Sequence, residues 1–300
     1  DFKAAGFNFI NEENYYDALI VLRKTSFASP ITIADIKHVL SSNLMKIADI
    51  YFKDSKLKSY ANQYEYVYQL TSLTFNNISS TKGVESLTAL TYLDLAYNQL
   101  TEINLTHNKA LTHLDLQGNM LSKIDLTNNT ELANLNLQGN KLSNIDLTHN
   151  SALTHVDLHG NQLNDIDLTN NIALTHLDLG NNHFVAINLT KNTSLTVLHL
   201  AANELCMIDL THNTALINLQ LASNYFNAIN LTKNTSLTNL GLYRNNLRRL
   251  DLTKNTALVR LCLSNNPMTS VDLTNNTHLI DLYLGAKVHC YGESCLRRDS

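Results

Sequence analysis

The sequence predicts a horseshoe-like α/β solenoid with a parallel concave β-sheet, an extended or 3₁₀ convex side and a helical N-terminal cap. Three observations carry that prediction. One leucine frame restarts every 21 residues, at Leu90, Leu111, Leu132 and onward to Leu279, without insertion. Inside each unit apolar residues hold the first, fourth and sixth places, as in Leu111, Leu114 and Leu116. Asparagine recurs at the ninth place, from Asn98 through Asn119 and Asn140 to Asn266. A fixed period of this length is the mark of a repeat architecture, in which each unit buries its apolar face only against its neighbours.

Residues 1–44 read as helical. Glu12 and Glu13 precede Tyr15, Tyr16, Leu19, Ile20 and Leu22 at helical spacing, and Thr32 with Asp35 opens a second pattern through Ile36, Val39 and Leu40. Such a cap would shield the first strand's open core edge. Residues 45–89 read as two degenerate units. Ile47, Ile50, Phe52, Ser55 and Leu57 fit the frame with Ser in the Asn place, and Leu70, Leu73 and Phe75 fit it more weakly.

Residues 90–284 form the regular array. The two-residue step from fourth to sixth place gives a short strand whose alternate side chains point inward. Ten strands about 4.8 Å apart make a sheet on the order of 45 Å long. The Asn column follows the strand, where a turn leaves backbone groups facing inward that an amide can both donate to and accept from. The second half of a unit, as in Ile145-Asp146-Leu147-Thr148, is too short for a helix. Thr106 through Thr274 and a second Asn column, Asn108 to Asn276, recur there. Residues 285–300 form a short tail, in which Cys290 and Cys295 read equally as a disulfide or as two free thiols.

The frame LxxLxLxxNxLxxIDLxxNxx over residues 90–284 resembles the 21-residue class of bacterial leucine-rich repeats, sometimes called the IRREKO type. The segment Ile78, Gly83-Val84 and Leu87-Thr88-Ala89-Leu90 resembles repeats of the internalin family. The resemblance implies a leucine-rich-repeat solenoid with a helical N-terminal cap. It also implies a bacterial protein that is secreted, held at the cell surface or delivered into a host cell.

Composition narrows the function. The net charge of -4 argues against nucleic acid, whose affinity rests on Lys and Arg neutralising phosphates. No run of 18 apolar residues occurs, so membrane insertion is not expected. No GxSxG, HExxH or phosphate-binding glycine loop occurs, and a regular open sheet offers no water-restricted pocket. The sequence therefore predicts no enzyme and no cofactor.

The third, fifth and seventh places of each unit flank the inward leucines and vary while the framework does not. These columns carry Tyr92, His113, Asp115, His155, Asp157, His159, His176, Asp178, His199, Tyr243, Arg260 and Tyr283, the predicted partner-binding residues of the concave face. Imidazole beside carboxylate is also a metal-ligand set. Duplication of the string THLDL with the repeat gives the same pairs without any metal, and no metal site is predicted. The acidic column Asp125, Asp146, Asp167, Asp209, Asp251 and Asp272 is interrupted by Asn104, Asn188 and Asn230, which suits turn-capping acceptors better than calcium ligands. Cys262 lies on the concave face beside Arg260 with no His in register, so it is not read as a nucleophile. The expected activity is binding of a protein, a host protein among the candidates, by a monomer. The alternative is a structural or self-assembling surface protein with no specific concave-face ligand.

Overall fold

The computed structural model describes residues 46–285 and 289–291. The helical cap expected over residues 1–44 and the pairing of Cys290 with Cys295 lie outside the described residues.

The chain is a leucine-rich-repeat solenoid whose concave side is one parallel sheet of 11 strands in near-sequential order. It opens with β1 (Ser72–Thr74), β2 (Tyr92–Asp94), β3 (His113–Asp115) and β4 (Asn134–Asn136). It continues through β5 (His155–Asp157), β6 (His176–Asp178), β7 (Val197–His199) and β8 (Asn218–Gln220). After β9 (Asn239–Gly241) and β10 (Arg260–Cys262), β11 (Ser270–Asp272) leaves the sheet and β12 (Asp281–Tyr283) closes it. β11 pairs instead with β13 (His289–Tyr291) in a second, two-stranded parallel sheet.

Every strand pairs in the same register. His113 faces Asn134, Asn134 faces His155 and His155 faces His176, so each column of the sequence is a column in space. In the large sheet the middle residue of each strand points into the core while its neighbours face solvent at least in part, Gly241 of β9 excepted. Leu111, Leu116, Leu121 and Leu126 are buried, and the same places repeat along the stack. Phe184 and Phe226 stand where most units have Leu and are fully buried.

The first Asn column does what the turn requires. Asn119 donates through Nδ2 to the carbonyls of Leu95 and Leu116, and its Oδ1 accepts from the amide of Leu100. Just before it the backbone turns into the left-handed region, at Gly118, Gly139 and Gly160 and also at Tyr97, Ala202, Ser223 and Arg244. The second Asn column only donates: Asn129 Nδ2 reaches the carbonyls of Leu105 and Asn108, while its buried Oδ1 has no partner. The convex side is extended and punctuated by single turns, such as Asn108 N to Leu105 O at 3.0 Å.

The frame read over Ile47 to Leu57 makes no strand. A 3₁₀ turn (Ile47–Asp49) leads instead to α1 (Ser55–Ala61). Ser55 cannot supply the bonds of the missing Asn, and Asp54 before it is a strong helix N-cap. Its Oδ1 accepts from the amides of Lys56 and Leu57, and its Oδ2 from the amide and hydroxyl of Ser79. Burial pushes the Asp54 carboxyl up, yet these bonds together hold it below the usual carboxylate range. Ile47, Ile50, Phe52 and Leu57 are buried and cover the end of the leucine core.

Candidate partner-binding face

The third-place and fifth-place columns form two parallel rows on the concave sheet. Between them a shallow trough of about 450 Å³ runs across the strands from Tyr92 to His199, floored by Leu114, Leu135, Val156 and Leu177. Of the sequence-predicted residues, Tyr92, His113, Asp115, His155, Asp157, His176, Asp178 and His199 line it. His159 stands beside it, its Nδ1 3.5 Å from Asp178 Oδ1. Tyr243, Arg260 and Tyr283 lie further along the sheet and do not belong to the trough. Arg260 Nε is held by Asp281 Oδ2 at 2.7 Å, and the Tyr243 hydroxyl accepts from Asn265 Nδ2 at 3.1 Å.

The imidazole row is set by the Thr-His dipeptide. Thr154 Oγ1 donates its one proton to the carbonyl of Ala133, so it can only accept from His155 Nδ1 at 2.9 Å. Thr112 with His113 and Thr175 with His176 repeat this arrangement. In its neutral form each of these imidazoles therefore carries its proton on Nδ1 and leaves the Nε2 lone pair free. The rings of His155 and His176 stack at 4.2 Å and 15°. Burial, then the neighbouring His155 and His199, hold the pKa of His176 below the ordinary histidine value.

The opposite row holds the carboxylates. Asp178 is the best supported: burial pushes it up, but the His199 Nδ1 bond at 3.1 Å and the Gly180 amide bring it below the usual range. Gly180 matters to this contact, because a Cβ there would come within 2.7 Å of His159 Nδ1 and 3.1 Å of Asp178 Oδ1. Asp157 accepts only the His159 amide on Oδ1, and burial raises its pKa, with the nearby Asp178 adding to the rise. Burial likewise raises Asp115, against bonds from the Gln117 amide and Asn136 Nδ2.

His199 and Asp178 look at first like half of a hydrolytic triad. Both ring nitrogens of His199 are occupied, Nδ1 by Asp178 and Nε2 by Asn218 Nδ2 at 3.2 Å, so no hydroxyl or thiol shares the ring. Asn218 in turn accepts from Gln220 Nε2 at 2.9 Å. Sequence reasoning put forward the charged and aromatic residues and left out Asn134, Asn136, Asn218 and Gln220, which complete the rows. Their signal was present in the same columns. Among the described residues no group of three or more His, Cys, Asp or Glu side chains is arranged to hold a metal ion. The return-side acidic column is spent on turns: Asp146 Oδ1 accepts from the amide and hydroxyl of Thr148 at 2.9 and 2.6 Å, and the hydroxyl and then the amide bond hold its pKa low.

No family model matches the sequence, and no match was found among curated proteins. Solved structures match well. The functional domain of InlJ from Listeria monocytogenes is 28% identical with a TM-score of 0.72, over 85% of this chain and 63% of that one. A leucine-rich-repeat protein from Leptospira interrogans is 26% identical with a TM-score of 0.63, over 67% of this chain and 57% of that one. YopM from Yersinia pestis shares the fold at 20% identity and a TM-score of 0.61, over 92% of this chain and 77% of that one. The fold is thus the internalin-like leucine-rich-repeat solenoid of bacterial proteins, and the chain spans less than two thirds of the first two relatives. The Listeria domain includes a cysteine ladder. Here the two described cysteines in the repeats, Cys206 and Cys262, fall at different places of their units and build none. No described helix is long and apolar enough to cross a membrane.

Proposed function

We propose that this chain is a non-enzymatic protein-interaction module of a bacterial protein that acts outside the producing cell or inside a host cell, and that its concave face is the binding surface. The observation that carries the reading is the contrast between columns. The Leu and Asn columns are nearly uniform and buried, whereas the third and fifth places change from unit to unit on one exposed face. A surface that varies on a fixed scaffold is suited to recognition, since the scaffold is unaffected by changes there. Delivery to a host is supported by the Yersinia pestis neighbour, which is a leucine-rich effector protein.

The test is capture from host-cell lysate by wild type and by a variant carrying Asp157→Lys, Asp178→Lys and Tyr243→Ala, with unfolding curves of both recorded alongside. A protein retained by wild type and lost by an equally folded variant supports the reading. Identical capture by both removes the concave face as the site. Light scattering over a wide concentration range addresses the structural alternative, because a self-assembling stalk grows with concentration and a recognition module stays monomeric.

A further inference from the structure

The hydrogen-bonding character of the trough specifies what fits it. Its lining includes Asp115, Asp157 and Asp178 but no Lys or Arg. His113, His155 and His176 give their Nδ1 protons to threonine hydroxyls, so each can offer an acceptor at Nε2. His199 holds its Nδ1 against Asp178. The trough is therefore rich in acceptors and negative charge, its side-chain amide donors being those of Asn134 and Asn136, of which Asn136 already donates to Asp115 and Gln117. Lys and Arg side chains are the complement, being cations that donate and never accept. The described arginines, Arg244, Arg248, Arg249 and Arg260, all lie toward the other end of the solenoid and do not neutralise the trough.

Building on the concave-face reading, we infer that the trough takes an extended, arginine- or lysine-bearing segment of the partner protein. A cationic side chain of that segment sits against Asp157, between the rows. From β3 to β6 the trough crosses three strand spacings, about 14 Å, the length of roughly four residues of extended chain. Asp157 is the natural anchor because its Oδ2 has no bonding partner, whereas Asp178 is already bonded to His199.

The same geometry makes the interaction weaken with acid. The titratable groups around Asp157 are His155 and His159 on its own unit, His176, Asp178 and His199 on β6 and β7, and Asp115 with His113 beyond Asn136. Histidines gain charge as pH falls below neutrality. The Asp157 carboxyl, which burial and the neighbouring Asp178 hold above the ordinary carboxylate range, takes up a proton more readily than an exposed one, and the anchor then loses its charge.

The experiment uses the full chain and four fluorescein-labelled hexapeptides of serine alternating with arginine, lysine, glutamine or glutamate, read by anisotropy at physiological ionic strength. The arginine and lysine peptides should bind at pH 7.5 and the other two should not. Asp157→Asn with Asp178→Asn should weaken binding by roughly tenfold or more, the effect of losing charge-assisted hydrogen bonds. Asn136 already fills the same place in β4, so this variant should fold. Asp146→Asn with Asp167→Asn removes equal charge from the return side, where Asn188 shows Asn to be accepted, and should leave binding unchanged. Wild-type binding should weaken at pH 5.

Equal weakening by the return-side variant would reduce the effect to net charge and overturn the inference, as would tight binding of the glutamine peptide or binding that is undiminished at pH 5. Self-association of wild type that the Asp157→Asn, Asp178→Asn variant abolishes would assign the trough to a second copy of the chain instead. If no peptide binds while lysate capture still depends on the concave face, this inference fails and the protein-binding reading stands.

Discussion

Asp157 and Asp178 face each other in register across β5 and β6, yet their carboxyl groups shift in opposite directions. Burial acts on both. His199 and His159 lower both, but Asp178 adds the His199 side-chain bond to its backbone amide from Gly180, whereas Asp157 receives one backbone amide and sits beside its neighbour's charge. A carboxyl with a raised folded pKa stabilises the fold while protonated and loses that contribution as pH rises through the folded value. One with a lowered folded pKa contributes above its unfolded value, and the contribution is lost as pH falls through the folded one. Asp157→Asn is therefore expected to stabilise the protein at pH 7 and Asp178→Asn to destabilise it, each by about 1 kcal/mol after solvent screening. Urea titrations of both variants at pH 7 check this. Shifts of the same sign would mean that the hydrogen bonds of Asp178 do not separate the pair.

The stacked imidazoles predict a loss of stability in mild acid. His176 has a folded pKa below the ordinary histidine value, so the unfolded chain binds more protons between the two values. Its contribution is complete above the unfolded value near 6.5 and is lost as pH falls through the folded one. His176→Asn places an uncharged residue in the column where Asn134 and Asn218 already stand. The midpoint difference between pH 7.5 and pH 5 should shrink in this variant relative to wild type. An unchanged difference would show that the acid sensitivity arises elsewhere.

The two asparagine columns look alike in sequence and should not cost the same to remove. Asn161 Oδ1 is the partner of the buried Leu142 amide, while the carbonyls it donates to, Leu137 and Leu158, also receive Asn140 and Asn182. Asn171 donates to Leu147 and Asn150 carbonyls that keep the backbone amides of Asn150 and Leu153, and its own Oδ1 is unpartnered. Asn161→Ala thus strands a buried amide and should cost about 3 kcal/mol, whereas Asn171→Ala strands nothing and should cost about 1 kcal/mol. Denaturant midpoints of the two variants decide the matter, and equal losses would refute the donor-only role of the second column.

The fold was legible because the repeat converts sequence columns into spatial ones. Leu114, Asn119 and Asp146 needed only their place in the unit to be put in core, turn and return side. The frame over Ile47 to Leu57 misled because apolar spacing alone does not make a strand: without the Asn amide, the Asp54 cap diverts the chain into α1. Within the candidate face, the rows of His and Asp were legible, but the trough's acceptor character was not. It depends on the hydroxyl of Thr154 spending its proton on Ala133, a contact between units that no local pattern shows.

The eighth place of the unit offers a measure of backbone strain free of packing. Gly139 has φ +64°, and the nearest atoms to an added Cβ are 3.8 Å away, an ordinary contact. Gly139→Ala therefore tests the left-handed conformation alone, and its cost should be about 1 kcal/mol. Ala202 occupies the same conformation at φ 55° with a Cβ already present. Ala202→Gly relieves that strain but gives the unfolded chain more freedom, so the net gain should be only a few tenths of a kcal/mol. Thermal midpoints should fall for Gly139→Ala and rise slightly or hold for Ala202→Gly. A clear loss in the second variant would mean that the Ala202 side chain packs in a way the left-handed turn does not account for.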